Sequence, residues 1–164
     1  MDNPFWDFSL KVYGQTGVPS ACLRIQADFG ADVNILLYLC WLGARDVEVS
    51  AADIGKIIDA ADHWHRQIVV PLRQVRNKLK SGSLGAEKTE AESFRSSVKR
   101  LELTAEQLEQ NLLYGLEFSS RPAASGKLER SGAIRRALEA YLATLSGPAP
   151  DEHSLQTLID AAVH

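Results

Sequence analysis

Hydrophobic positions recur at helical spacing along nearly the whole chain, and no stretch of any length alternates as a strand would. One run departs from the amphipathic pattern. Asp32-Val33-Asn34-Ile35-Leu36-Leu37-Tyr38-Leu39-Cys40-Trp41, between Gly30 and Gly43, is apolar on almost every side. A helix of that kind has to be enclosed by other elements, and this one is shorter than the roughly 18 apolar residues of a membrane span. The pattern predicts an all-α, single-domain helical bundle over residues 1–164, built around a central buried helix at 32–42.

Helix ends are marked by local chemistry. Asn3 can cap and Pro4 suits a first helical position. Phe5, Phe8 and Val12 then form a stripe flanked by Trp6, Leu10 and Tyr13, up to Gly14. Gly17-Val18-Pro19 opens a second helix with Cys22, Ile25 and Phe29 inward and Gly30 as its C-cap. Asp32 is placed to cap the central helix. Ser50-Ala51-Ala52-Asp53 has the form of a capping box, with Asp53 in place of the usual Glu or Gln.

Beyond that box lies the longest pattern. Ile54, Ile58, Ala61, His65, Ile68, Leu72, Val75 and Leu79 are spaced alternately four and three apart, a heptad seam. Ser81-Gly82-Ser83-Leu84-Gly85 breaks it, and Phe94, Val98, Leu101, Ala105, Leu108 and Leu112 resume it. Two such arms and a short loop predict a long antiparallel helical hairpin over 50–117. Folding about the loop sets Leu72 near Phe94, Ile68 near Val98, His65 near Leu101, Arg76 near Glu90 and Lys80 near Glu87. Pro71 removes one helical hydrogen bond and should kink the first arm near 67–70. A linker is expected over 118–126. C-terminal helices are expected over 127–164, the first capped by Ser131 and carrying Ile134, Leu138, Tyr141 and Leu145, the last turning Leu155, Leu158, Ile159 and Ala162 inward.

Charge and cysteine usage narrow the function classes. A formal net charge of -3 argues against a nucleic-acid partner, which normally meets a basic excess. Cys22 and Cys40 lie far apart in apolar surroundings and read as small buried hydrophobes in a reduced compartment. The start of the chain, Met1-Asp2-Asn3-Pro4-Phe5-Trp6-Asp7, has no basic segment or small-residue cleavage site. No membrane span and a cytoplasmic location are the expectations.

Candidate chemistry is sparse. Asp59, Asp62 and His63 could be read as metal ligands, but they lack the two-histidine signature, and ordinary pairs of Asp59 with His63 and Asp62 with Arg66 explain them. No metal site and no cofactor are expected. Asn34 is a polar amide inside the apolar helix and must find partners. His65 lies on the seam, where a core histidine, a general base or a pH-sensitive hinge are all open. Arg66, Arg73 and Arg76 surround the kink and could grip a phosphate or carboxylate, with Glu90, Glu92 and Asp32 as internal counter-charges. Lys127, Arg130, Arg135 and Arg136 form a second basic group that could serve a partner surface or be satisfied by the acidic stretch 102–109. No phosphate loop, nucleophile elbow, dinucleotide fingerprint or Cys/His dyad occurs, so no catalytic residue is nominated.

Phe5-Trp6-Asp7-Phe8-Ser9-Leu10, Gly17-Val18, Ala21-Cys22-Leu23, Asp32-Val33-Asn34-Ile35-Leu36-Leu37 and Trp41-Leu42 resemble the N-terminal block of a small proteobacterial family of unknown function. Trp64, Val70-Pro71-Leu72-Arg73 and Arg76 resemble its second block. The resemblance implies a bacterial cytoplasmic protein and brings no activity with it. Read together, these features make a non-catalytic adaptor or regulator that binds another protein the leading expectation. The alternative is a small-molecule or anion site, catalytic or not, lined by Asn34, Trp41, His65, Arg66, Arg73 and Arg76. The oligomeric state is open, and the hairpin also offers a dimer surface.

Overall fold

Short polar side chains and glycines set the helix ends where the expectations put them. In the computed structural model, which describes residues 2–119 and 126–164, Asn3 Oδ1 accepts from the N–H groups of Phe5 and Trp6 at 3.0 and 3.2 Å, starting α1 (Pro4–Tyr13). Helix α2 (Val18–Phe29) closes on Gly30, whose φ of 66° is the left-handed conformation that favours glycine. Asp32 Oδ1 accepts from the Asn34 N–H at 2.8 Å and starts α3 (Val33–Ala44). The Ser50–Asp53 capping box is complete at the head of α4 (Ala51–Trp64).

The kink at Pro71 takes a definite form. Residues His65–Val69 make a π-helical turn, in which the Val70 N–H bonds back to the His65 carbonyl, five residues earlier. Proline has no N–H to offer the Gln67 carbonyl and its ring crowds that oxygen, so the helix widens there before continuing as α5 (Val70–Lys80). The loop after α5 turns through left-handed Leu84 and Gly85 into α6 (Lys88–Tyr114), capped by Glu87. Residues 120–125, most of the expected linker, lie outside the described residues. Helix α7 (Lys127–Ala143) begins at Gly126, not at Ser131: the Gly126 carbonyl already accepts from Arg130, one turn earlier than expected. Asp151 caps α8 (Glu152–Val163).

Among the described residues the fold is all-α, without strands, and no helix is long and apolar enough to cross a membrane. Helix α3 is the hub, touching α1, α2, α4, α6, α7 and α8. Ile35 through Cys40 are all at most 4% exposed, as expected of a helix apolar all round. The α3–α7 contact is closest at Gly43, where a Cβ would collide with the Ile134 side chain.

The hairpin forms, but its seam is rotated. On α6 the inward positions are Ala91, Val98, Glu102, Ala105, Glu109 and Leu113, whereas Phe94, Leu101, Leu108 and Leu112 are 45–58% exposed. On the facing arm Ile54, Ile57, Ala61 and Val69 are buried, while Ile68 and Val75 are exposed and α5 buries no residue fully. The pairing therefore runs His65 with Glu109 and Arg76 with Glu102, rather than with Leu101 and Glu90. Two causes act together. The extra residue in the π turn offsets the faces before and after it by roughly 100°. In addition, the true seam of α6 carries glutamates, which a purely apolar pattern passes over.

Candidate functional site

A buried polar group sits where α3, the π turn and α6 meet. Asp32 arrives as the cap of α3, His65 as the first residue of the π turn, and Glu109 from the inner face of α6. His65 Nδ1 lies 3.1 Å from Glu109 Oε2 and 3.2 Å from Asp32 Oδ2. One donor atom from each of the three side chains lies within 4.8 Å of the other two. The Glu109 side chain is fully buried, that of Asp32 is 7% exposed and that of His65 is 15% exposed.

Neighbours hold the frame. Trp64 Nε1 donates to the Ala105 carbonyl at 2.9 Å, pinning the π turn against α6. The Asp32 N–H donates to the Tyr141 hydroxyl at 3.0 Å, so α7 reaches the back of the site. Gln110 Nε2 donates to Asn34 Oδ1 at 2.9 Å. Burial raises the Asp32 carboxyl well above the usual range, and the facing Glu109 carboxyl pushes it further against the opposing pull of His65. Burial also raises Glu109. Asp32 Oδ2 and Glu109 Oε1 are buried without a hydrogen-bond partner among the described residues. A buried acceptor left without a partner costs about 1–3 kcal/mol, offset in part where the raised Asp32 carboxyl shares a hydrogen bond with Glu109. The group is expensive for the fold, and its chemistry is that of a place to hold a proton or a cation.

Asp32 also lines a cleft of about 160 Å³ with Asn34, Glu106, Gln110 and the apolar or aromatic side chains of Trp6, Leu10, Tyr13, Leu37 and Leu103. Tyr13, Leu103 and Glu106 are shared with a second depression of about 380 Å³, whose far wall is Arg76, Lys99 and Arg100. The two adjoin at these shared residues, with Asp32 in the first and the basic side chains at the far side of the second.

The expected site residues divide around this groove. Asn34 and His65 belong to the buried group. Arg73 and Arg76 lie beside it as structural cations: Arg73 donates to Glu102 and Glu106 at 3.1 Å and to Gln26 at 3.3 Å, and Arg76 donates to both oxygens of Glu102. Their counter-charges are thus Glu102 and Glu106, not Glu90, Glu92 or Asp32. Burial alone would raise Glu102, but the hydrogen bonds from Arg76 and Arg73 outweigh it and hold the carboxyl below the usual range.

Arg66 points away and pairs with Asp62 on an exposed surface, displaced from the Arg73 face by the π turn. Trp41 is two turns along α3 from Asn34. There it packs against Phe5, Tyr38 and Tyr114 under the Arg45 guanidinium, which lies 4.9 Å from the ring centre. The second basic group is neutralised by residues other than the 102–109 stretch: Arg130 by Asp46, Arg135 by Glu139 and Glu152, and Arg136 by Glu48. Cys22 and Cys40 are buried free thiols, and burial pushes Cys22 up to about 12.

Sequence reasoning missed Glu109, Glu106 and Gln110 as site residues, and took Asp32 as a cap and a counter-charge for the arginines. A usable signal for Glu109 was present. Val98, Glu102, Ala105, Glu109 and Leu113 are themselves spaced at four, three, four and four, with small or apolar residues at every position except the two glutamates.

Residues 4–113 match the profile of a family described as "Protein of unknown function (DUF2390)". The chain belongs to that family. No curated protein and no solved structure matches the chain. The matched segment contains Asp32, His65 and Glu109 and ends before α7, so Tyr141 comes from outside it.

Proposed function

We propose that the protein binds a small organic molecule in the groove between α1 and α6, with the Asp32–His65–Glu109 group at its inner end. The observation that carries this reading is the juxtaposition of an energetically costly, buried carboxylate–imidazole group with a cleft that Asp32 itself lines. The buried carboxylate of Glu102, by contrast, is satisfied by Arg73 and Arg76, and a concave site with a few convergent polar groups is the usual form of a ligand pocket. The ligand class follows from the walls. Its apolar body fits against Tyr13, Leu10 and Leu103. An anionic end, carboxylate or phosphate, faces Arg100 and Lys99, which are in no ion pair among the described residues. A hydrogen-bonding end meets Asn34, Gln110 and Asp32. The anion site thus shifts from Arg66 and Arg73 toward Lys99 and Arg100 on α6, beside Arg76.

The test is a thermal-shift panel of amphipathic carboxylic acids and phosphomonoesters on the full chain. A stabilising member should lose its effect in Lys99→Ala/Arg100→Ala and in Leu103→Arg. No stabilising member, or a shift that survives both variants, would sink the reading.

A second reading, an adaptor that binds another protein, keeps one observation in its favour. Phe94, Leu101, Leu108 and Leu112 form an exposed apolar stripe along α6, and a stripe of that spacing is what a partner helix packs against. Leu101→Glu with Leu108→Glu should then abolish partner recovery in a pull-down while melting is unchanged.

A further inference from the structure

We propose that Asp32, His65 and Glu109 form a binding site for one divalent transition-metal ion. The donor set comes from three separate elements, so it is assembled only by the fold. His65 Nδ1 stands 3.2 Å from Asp32 Oδ2 and 3.1 Å from Glu109 Oε2. Adjacent ligands around an ion bound at about 2.0–2.2 Å are themselves about 3.0–3.4 Å apart in tetrahedral or octahedral geometry. His65 therefore already stands at the spacing of a neighbouring ligand from each carboxylate, and the donor atoms of all three lie within 4.8 Å of one another.

A second and independent observation is the unpartnered oxygens. Glu109 Oε1 and Asp32 Oδ2 are buried and accept no hydrogen bond among the described residues, although buried acceptors are almost always satisfied. No Lys or Arg forms an ion pair with either carboxylate among the described residues. The Arg73 guanidinium, whose charge is felt at Glu109, is taken up by Glu102, Glu106 and Gln26. Metal ligands bind deprotonated, and the two carboxylates so formed carry a charge that a divalent cation cancels.

The donors also select the class of ion. An imidazole nitrogen beside two carboxylate oxygens suits Zn²⁺, Mn²⁺ or Fe²⁺ better than Ca²⁺ or Mg²⁺, which prefer oxygen alone. Three protein ligands leave coordination positions free, as in catalytic rather than structural metal sites. Because Asp32 also lines the cleft, an ion held there borders the groove. The site stands independently of the organic ligand, since ion binding and organic-ligand binding are read in separate experiments.

The experiment uses the full chain stripped with chelator and titrated with ZnCl₂, MnCl₂ and MgCl₂, read by native mass spectrometry and calorimetry. One equivalent of Zn²⁺ or Mn²⁺ should bind, with Mg²⁺ at least tenfold weaker. Asp32→Asn keeps the helix cap, because Asn caps as well as Asp, and Glu109→Gln keeps shape. Each should weaken binding at least tenfold, as should His65→Ala, with circular dichroism unchanged in all three. His63→Ala, which removes an exposed imidazole two residues away, should leave binding as it is. The assignment is overturned if neither Zn²⁺ nor Mn²⁺ binds stoichiometrically. It is equally overturned if binding survives all three variants, or is lost in His63→Ala. Persistence of the organic-ligand shift in Asp32→Asn or Glu109→Gln would leave the groove standing without the metal. A metal-binding protein with no organic ligand would be the reverse.

Discussion

Glu102 and Glu109 lie two turns apart on the same inner face of α6, both buried, and they are opposites. Two arginines grip Glu102 through both its oxygens, and its carboxyl is held below the usual range. Glu109 faces a histidine and a second carboxylate, one of its oxygens has no partner among the described residues, and its carboxyl is raised. One helix thus carries a carboxylate that ties α5 to α6 and another that lowers the stability of the fold where it sits. Burial is common to both and decides nothing by itself; the company each carboxylate keeps separates a strut from a site.

The comparison breaks most sharply under isosteric neutralisation. Glu102→Gln leaves Arg73 and Arg76 without their shared counter-charge. It should cost about 2–3 kcal/mol in denaturant unfolding, below the figure for a fully buried pair because the arginines are partly exposed. Glu109→Gln in the metal-free protein removes one of two facing carboxylates and should raise stability by about 1 kcal/mol. Equal losses in the two variants would show that the cluster at Glu109 is a structural pair like the other.

Acidification sharpens the same contrast. Glu102 has a folded pKa below its unfolded value, so its stabilising contribution is present above the unfolded value, about 4.3. It is lost as pH falls through the folded value. The stability gap between the wild-type chain and Glu102→Gln should therefore be constant near neutrality and close progressively below about pH 4. A gap that stays open in acid would mean that packing, not charge, holds Glu102.

Smaller in reach is the test of the hub that carries Asp32. Gly43→Ala puts a methyl into the Ile134 side chain, and overpacking of this kind costs about 1–3 kcal/mol. Ala in the opposite close neighbour, Ile134→Ala, should relieve that clash, so the double variant should lose less than the sum of the two single ones. Strict additivity would argue that α3 and α7 part readily.

Local chemistry made much of the frame readable before any coordinates. Asn3, Gly30, Asp32 and the Ser50–Asp53 box act within one turn of the chain, so their meaning is fixed by their immediate neighbours. The enclosed central helix was equally plain, since no surface helix is apolar on every side. The seam of the hairpin was not. Its apolar positions offered two registers, and the one with the richer hydrophobes, through Phe94, Leu101 and Leu108, is the exposed one. The register that is buried contains Glu102 and Glu109, which look like surface residues until Arg73, Arg76 and His65 are brought across from the other arm. His65 and Asn34 could be picked out because polarity inside an apolar pattern is conspicuous. Glu109 is less conspicuous, because glutamate in a long helix is ordinary and only its spacing with Val98, Ala105 and Leu113 marks it.

The π turn has a consequence for how this chain can vary. Between Trp64 and Val70 it spends one residue more than an α-helix needs, so a single-residue deletion there would leave an unbroken helix. Such a deletion would still swing α5 about 100° around its axis relative to α4. Either His65 would stay against Glu109 while Arg73 and Arg76 left Glu102, or the reverse. The spare residue is the phase adjustment that lets one continuous rod serve two partners on α6 at once. Insertions and deletions at 65–69 would therefore be far less tolerable than the same changes in the 81–85 loop.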